Sequence, residues 1–256
     1  MVTPTSTDRQ TSTARVATRP ERVSRPMLLG EIAVVVLLLT LYDRIRDFAT
    51  TRAGLAFTDA RWVLDVERRL HIDVEGTLNR WLSVHWDVQL IASWYYQLAH
   101  LSVTMAVLVW LYVRRPEVYR GGRNALIAIN ALGLIVFWLR PVAPPRMLPG
   151  FIDSGLVSGV AQHAEQVSAN VYAAMPSLHV GWAAWVVMQM WAAAASPRLK
   201  TVVAIHLGIT VVVVLATANH FVLDAVAGLA VAVLAAVLVR APMVARATQT
   251  SSDPGR

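Results

Sequence analysis

Apolar residues fall in long runs along this chain, and polar residues are concentrated between the runs. Several runs approach the roughly 20 residues that an α-helix needs to cross a bilayer. We predict six membrane-spanning helices, although the first run carries Glu31 and the third and fifth are short. The predicted spans are residues 27–46, 88–113, 124–140, 176–195, 201–218 and 220–240.

The segment from residue 55 to residue 83 does not have the pattern of a span, because many charged residues are mixed with its apolar ones. Such a mixture is typical of a helix, or a pair of helices, that lies in the membrane interface. We therefore predict an interfacial amphipathic helix here, with an ordinary polar loop as the alternative. The larger apolar residues of this segment are Trp62, Val66, Leu70, Leu78, Trp81 and Leu82.

The composition also indicates an all-α, polytopic membrane protein. Of the 256 residues, 56% are hydrophobic and 15% are charged, whereas soluble domains carry about 25% charged residues. We expect one six-span catalytic domain at residues 27–241, between a disordered basic tail at residues 1–26 and a second tail at residues 242–256. The first apolar run starts too late for a cleavable signal peptide. The chain has no cysteine, which excludes disulfides and thiolate metal sites.

Basic residues between the spans predict the orientation of the chain. Fourteen lie in the two tails and in the second and fourth connections, and nine lie in the remaining connections. Because cytoplasmic loops carry the excess of Arg and Lys, we expect both termini in the cytoplasm, with the connections after spans one, three and five outside. The formal net charge of +7 fits a protein of the inner (plasma) membrane that faces anionic lipid, and nucleic acid is not an expected partner.

Three polar clusters interrupt the apolar pattern, and the predicted topology places all of them at the outer membrane face. The topology depends on charge alone, so this agreement independently supports a single site. The clusters are Arg140-Pro-Val-Ala-Pro-Pro-Arg146, Met175-Pro-Ser-Leu-His179 and Asn219-His220-Phe-Val-Leu-Asp224.

The side chains of these clusters suit a phosphate group. Arginine offers a planar fork of donors that matches phosphate oxygens, and prolines stiffen the backbone around Arg146. Pro176 suits the first turn of a helix, whose N-terminal N–H groups attract an anion, and Ser177 lies beside it. The candidate substrate-binding residues are therefore Arg140, Arg146, Ser177 and Asn219.

His220 and Asp224 are four residues apart and so share one face of a helix. A carboxylate there can keep one ring nitrogen of His220 protonated and leave the other as a nucleophile. His179 can then act as general acid toward the leaving oxygen. Each motif alone occurs by chance, and the arginines alone could be snorkelling residues at the interface. Only the three clusters together predict a catalytic phosphate site.

Two further histidines lie inside predicted spans, where an ionisable residue is a candidate for function. We expect His100 to line the pocket from the second span and include it among the substrate-binding candidates. His206 is expected to bond a neighbouring helix. The other histidines outside the clusters, His71, His85 and His163, are expected to be solvated.

The three clusters resemble the signature of the type 2 phosphatidic acid phosphatase superfamily, over roughly residues 124–235. The Pro-Val-Ala-Pro-Pro-Arg string and the Trp-Tyr-Tyr-Gln-Leu-Ala-His stretch resemble the branch that includes inositol phosphorylceramide synthases. The resemblance implies that His220 forms a phosphohistidine, with Asp224 as its orienting partner and His179 as the acid. It implies that Arg146 and Arg140 hold phosphate and that no metal or other cofactor is needed.

Two positions depart from that family's pattern. The basic residue expected seven positions before Arg140 is Gly133, and the arginine expected six positions before His220 is Val214. Phosphate binding would then depend on the side chains of Arg140, Arg146 and Ser177 and on backbone amides, as the proline–arginine branch tolerates.

The sequence therefore predicts a membrane lipid phosphatase or phosphotransferase that cleaves a phosphoester or pyrophosphate of a lipid-linked substrate. The alternative is an inositol or sugar phosphotransferase that acts on a lipid acceptor, and the acceptor could be water, a polyol or a lipid alcohol. The loop at residues 147–174 is long enough for a lid, with a mobile linker as the alternative. Its residues that could bond a polyol are Asp153, Ser154, His163 and Glu165.

Two other classes of function are less favoured. A membrane transporter usually shows repeats or polar residues at mid-membrane, whereas here no repeat is evident and the polar residues cluster at one face. An inactive scaffold of the same fold is disfavoured because His179, His220 and Asp224 are all present.

Overall fold

The computed structural model describes residues 51–160 and 172–251, together with isolated positions between residues 29 and 44. Within these residues the chain forms α-helices and loops and no strand, which confirms the predicted all-α class. The helices are α1 Ala53–Leu70, α2 Glu75–Ser83, α3 Trp86–Arg114, α4 Pro116–Leu139, α5 Ser154–Val157, α6 Leu178–Ala192, α7 Pro197–Ala216 and α8 Val222–Ser251.

In the described part of the chain, four helices are long and apolar enough to cross a membrane. They are α3, α4, α7 and the part of α8 at Val222–Val239. They coincide with the second, third, fifth and sixth predicted spans, so the membrane character of the chain and four of its spans agree with the prediction.

The other two predicted spans differ from this pattern. α6 occupies the span predicted at residues 176–195, but its 15 residues fall short of the roughly 20 that a membrane helix usually has. The span predicted at residues 27–46 lies mostly outside the described residues. One described position there is Glu31, which accepts a hydrogen bond from Tyr119 at 3.0 Å and pairs with Arg123. A charged residue in an apolar run is thus matched by partners on α4.

α6 lies at the centre of the helix bundle, between α4, α7 and α8. Trp185 of α6 is fully buried, and its indole N–H donates to the Gly122 oxygen of α4 at 2.8 Å. A helix that is surrounded by other helices needs no polar face toward solvent. Accordingly, apolar residues lie on all sides of α6. This position explains why a short helix carries so much of the core.

Side-chain caps or prolines mark the starts of α4, α6 and α7. Ser177 and Ser196 precede α6 and α7, and their side chains accept hydrogen bonds from the N–H groups of Val180 and Leu199, both at 3.4 Å. Proline is the first residue of α4 and of α7, where its missing N–H costs nothing.

The ends of four helices meet at one end of the bundle. The segment after α4 bonds the segment after α7, through the Arg146 N–H and the Ala218 oxygen at 2.8 Å. The residue before α6 bonds the first turn of α8, through the Ser177 N–H and the Asp224 oxygen at 2.9 Å. The ends of α4 and α7 and the starts of α6 and α8 therefore form one surface, where all three polar clusters lie.

α1 and α2 occupy the segment that we predicted as an interfacial helix or helix pair. Apolar residues of α1, among them Ala60 and Val63, pack with Phe221 and with the loop that follows α4. The other side of α1 leaves Trp62 and Leu70 exposed. The helical, amphipathic character of the segment agrees with the prediction, while its place at a membrane interface stays a prediction.

Candidate active site

The two candidate catalytic histidines lie at neighbouring helix starts. His179 is in the first turn of α6, and His220 stands just before α8, whose first turn contains Asp224. The ring centroids of His179 and His220 are 5.6 Å apart. The fold therefore brings together the three residues that the sequence nominated as catalytic.

The contacts of His220 define which of its ring nitrogens can react. Nδ1 is 2.8 Å from the Ala174 carbonyl oxygen and 3.5 Å from Asp224 Oδ2. Because a carbonyl oxygen can only accept a hydrogen bond, Nδ1 carries the proton and donates a hydrogen bond to the Ala174 oxygen. Nε2 then holds the lone pair, and no group in the described part of the chain bonds it. His220 thus has the tautomer of a nucleophile.

Asp224 is fully buried beneath His220. Its Oδ2 accepts the backbone N–H of Phe221 at 2.9 Å and faces His220 Nδ1. A carboxylate in this place restrains the ring and can stabilise a positive charge that develops on it.

His179 is surrounded by aromatic side chains from α3. Its ring centroid lies 4.2 Å from that of Tyr96 and 4.0 Å from that of His100. His100 Nδ1 donates to the Tyr96 carbonyl oxygen at 3.1 Å. A small cavity between α3 and α7 runs along this group, lined by Tyr95, Tyr96, His100, His179, Thr210, Val213 and Val214. The structure thus places His100 beside His179, while its role in lining a substrate pocket stays a prediction.

The other histidines are placed away from this group. His206 Nδ1 lies 2.6 Å from the Tyr95 hydroxyl, so it bonds a neighbouring helix, as predicted. His71 and His85 are exposed, also as predicted. The prediction for His163 falls outside the described residues.

Arg146 lies next to the residue that precedes His220. Its Nη1 donates to Asn219 Oδ1, and its Nε is 3.2 Å from Asp153 Oδ2. Asn219 is fixed in turn, because its Nδ2 donates to the Thr217 hydroxyl at 2.8 Å. The side chain of Arg146 is 20% exposed. The structure therefore presents one guanidinium, braced by an amide and a carboxylate, at the edge of the histidine group.

Arg140 has a different partner. Its Nε and Nη2 bond the two carboxylate oxygens of Asp59 on α1, at 2.8 and 2.7 Å, and its side chain is 66% exposed. Among the described residues, no contact of Arg140 joins it to the histidines. The structure thus ties Arg140 to α1, whereas the sequence grouped it with the phosphate-binding residues.

Ser177 caps α6 with its side chain and bonds α8 with its backbone N–H. It is fully buried, its hydroxyl accepts the Val180 N–H, and its own N–H reaches the Asp224 oxygen. The side chain is thus engaged at the start of α6, and the residue joins the catalytic starts of α6 and α8.

The two positions that depart from the family pattern have clear packing roles. Val214 is buried beside His179, and its carbonyl oxygen accepts the N–H groups of Asn219 and His220, both at 3.1 Å. A Cβ at Gly133 would stand 2.7 Å from Leu178 Cδ2. Neither position contributes a charge, which leaves Arg146 as the cation braced beside His220.

Sequence reasoning missed three buried polar residues beside the site: Glu67, Glu75 and Asn79. Asn79 donates to the oxygens of Ile152 and Ala216, at 2.9 and 3.0 Å, and so ties the loop after Arg146 to the end of α7. One signal could have revealed Glu67. It follows Ala56, Ala60 and Val63 at helical spacing, which places it on the buried face of α1.

The loop at residues 147–174 is partly described. Asp153 caps α5 by accepting the Leu156 N–H at 3.0 Å, and the Ser154 oxygen accepts hydrogen bonds from Gln89 and Ser93, both at 3.3 Å. His163 and Glu165 lie outside the described residues. Within the described residues, no group of three or more His, Asp or Glu side chains could hold a metal ion.

Comparison with known proteins gives one match. A family model described as the PAP2 superfamily matches residues 61–238, a range that contains His100, Arg146, His179, His220 and Asp224. Neither the curated proteins nor the solved structures gave a significant match.

Proposed function

Since this chain belongs to the PAP2 superfamily, we propose that it is a membrane lipid phosphatase that works through a phosphohistidine. The observation that carries the proposal is the state of His220: its Nδ1 proton is held by Ala174, and its Nε2 lone pair is unpartnered within the described residues. Family membership supports a phosphatase or phosphotransferase, and the apolar helices support a membrane-embedded substrate.

The proposed reaction has two steps. His220 Nε2 attacks the phosphorus of the lipid phosphate, and the bond from phosphorus to the leaving oxygen breaks while His179 gives that oxygen a proton. An acceptor oxygen then attacks the phosphohistidine, the N–P bond breaks, and His179 takes the acceptor's proton. Asp224 faces Nδ1 and balances the positive charge of the phosphorylated ring.

Phosphate binding is assigned to Arg146 and to the starts of α6 and α8. The guanidinium offers paired donors, and each helix start presents a positive dipole end. Asn219 braces the guanidinium, and Ser177 holds the two helix starts together. His100 is proposed to orient His179 from α3.

We also propose that α6 and the segment at residues 27–46 cross the membrane, which gives six spans with both termini in the cytoplasm. Because the end of α4 and the start of α6 lie at one end of the bundle, while α7 runs back to that same end, α6 has to traverse the bundle. Its 15 residues span about 22 Å at the helical rise. The site would then lie at the outer face of the inner membrane.

Hydrolysis is the proposed outcome because two loop residues that could bond a polyol are already engaged. Asp153 faces Arg146, and Ser154 is fully buried. The alternative is transfer to inositol, a sugar or a lipid alcohol. Incubation of the protein with labelled phosphatidic acid, with and without inositol, separates them: free phosphate that is unaffected by inositol supports hydrolysis, and an inositol-dependent phosphomonoester refutes it.

The test of the mechanism is to trap the intermediate. Detergent-purified protein is mixed with phosphatidic acid carrying a labelled phosphate and quenched in alkali, which preserves phosphohistidine. We expect label on the wild-type chain and none on His220→Ala, with phosphate release also abolished. His71→Asn removes an exposed histidine and serves as the control. A folded His220→Ala protein with wild-type turnover would refute the proposal.

A further inference from the structure

Two buried carboxyl groups lie beside the site, and the reaction above uses neither. Glu67 of α1 and Glu75 of α2 have no exposed surface. Glu67 Oε1 accepts the backbone N–H of Leu223, in the first turn of α8, at 2.6 Å. Glu67 Oε2 and both oxygens of Glu75 receive no hydrogen bond from any described group. A buried carboxylate without partners is costly, so these oxygens require an explanation.

The surroundings of the pair are acidic. The charged groups that act on it most strongly are Asp224, from α8, and Asp73, which precedes α2. Burial, the largest cause, acts with the neighbouring Glu75 and Asp224 to raise the pKa of Glu67 to about 8, against the opposing effect of the Leu223 N–H. Burial raises the pKa of Glu75 as well. Two carboxyl groups in such a place do not both ionise near neutral pH.

We propose that Glu67 and Glu75 share one proton and act as a positioning pair for the catalytic start of α8. In this arrangement Glu67 Oε2–H donates to a Glu75 oxygen, while Glu67 Oε1 holds the Leu223 N–H. The proton satisfies oxygens that otherwise lack partners. This inference rests on the proposed function, because it assigns the pair a role in the reaction at His220.

The pair acts on the reaction through the backbone. Leu223 lies between His220 and Asp224, so a carboxyl that holds its N–H fixes the turn that carries both side chains. With one proton, the pair carries a single negative charge at the positive end of α8, which is favourable. When the shared proton leaves, two negative charges face Asp224. The repulsion then displaces the turn, and His220 loses its alignment with His179.

The same proton couples the pair to stability. The pKa of Glu67 rises from 4.5 to about 8 on folding, so the folded chain binds more protons than the unfolded chain between these values. The contribution of this proton to folding stability is therefore full below about pH 4.5 and is lost as pH rises towards about 8. This slope is a readout that needs no substrate.

Glu67→Gln is the informative variant because glutamine imitates the singly protonated pair. Its oxygen can accept the Leu223 N–H, its amide N–H can donate to Glu75, and the pair keeps one negative charge that no alkali removes. With short-chain phosphatidic acid as probe, we expect the kcat of Glu67→Gln at neutral pH to lie within about twofold of wild type. In the pH profile of kcat, we expect the decline at alkaline pH to begin about one pH unit or more above that of wild type. Asp65→Asn, the same change on the exposed face of α1, should leave the profile unchanged.

Glu67→Leu keeps the volume but removes the acceptor. We expect kcat to fall about tenfold or more while KM changes little, because the unbonded Leu223 N–H releases the catalytic turn. If this variant does not fold, the pH profile of Glu67→Gln decides the question. An alkaline limb of Glu67→Gln that coincides with wild type, or a folded Glu67→Leu with wild-type kcat, would overturn the inference.

Thermal unfolding in detergent separates this inference from the proposed function. Between about pH 5 and about pH 8 we expect the wild-type midpoint to fall, and that of Glu67→Gln to fall less. If wild type releases no phosphate from any lipid phosphate, the proposed function fails, while a reduced slope for Glu67→Gln still supports the shared proton. Equal slopes for the two proteins would refute it.

Discussion

The backbone N–H of Ser177 donates to the main-chain oxygen of Asp224 over 2.9 Å, which joins the first turns of α6 and α8. Gly228, one turn further along α8, makes this approach possible. A Cβ on Gly228 would stand 2.2 Å from the Ser177 oxygen. The relative placement of His179 and His220 therefore depends on a contact between backbones.

Gly228→Ala should separate the two helix starts. The obstructing atom belongs to the backbone, so no change of rotamer relieves the overlap, and overpacking of this kind costs about 1–3 kcal/mol. We expect a lower midpoint of thermal unfolding and phosphate release reduced about tenfold or more. Gly208→Ala on α7 is the control, because nothing lies within 4 Å of its added Cβ. Wild-type activity of Gly228→Ala would contradict the close approach.

The two arginines should differ in their response to lysine. Arg146→Lys keeps the charge but loses the planar fork and the brace to Asn219, so we expect phosphate release to fall about a hundredfold. Arg140→Lys should reduce phosphate release only about a few-fold, because Arg140 bonds Asp59 on α1 and its own side chain is 66% exposed, so that water screens its charge. Steady-state kinetics with phosphatidic acid measures both. The reverse order of severity would show that Arg140 is the phosphate ligand.

Asp153 should compete with phosphate for Arg146. Its Oδ2 faces the guanidinium, whereas its Oδ1 caps α5. Asp153→Asn keeps an oxygen for the cap and removes the charge, so we expect inorganic phosphate to inhibit about fivefold more strongly, as the loss of a partly exposed ion pair predicts. Asp65→Asn controls for the change in net charge. Unchanged inhibition by phosphate would show that Asp153 does not occupy the phosphate position.

The topology can be tested directly because the chain has no cysteine. A cysteine at Asp65 should react with a membrane-impermeant maleimide in right-side-out vesicles. A cysteine at Arg198, in the first turn of α7, should react only in inverted vesicles. The opposite pattern would place the histidines at the cytoplasmic face and refute the predicted orientation.

Hydrophobic patterning determined much of this fold in advance. Four apolar runs correspond to four long helices. Inside a bilayer, a single segment can pair its own backbone N–H and C=O groups only as a helix. The spacing of His220 and Asp224 likewise fixed their common helix face before any contact was known. The three clusters met at one end of the bundle because successive long helices reverse direction.

Tertiary structure alone decided which polar groups are partners. Asp59, Glu67 and Asn79 read as solvated charges and amides in an amphipathic segment, yet each is buried against a residue distant in sequence. Arg140 binds Asp59 of α1, and Glu67 holds Leu223 of α8, across separations of 81 and 156 residues. Periodicity reports which face of a helix is apolar. The partner of a buried polar group is chosen by the packing of whole helices, because only that packing removes the group from water.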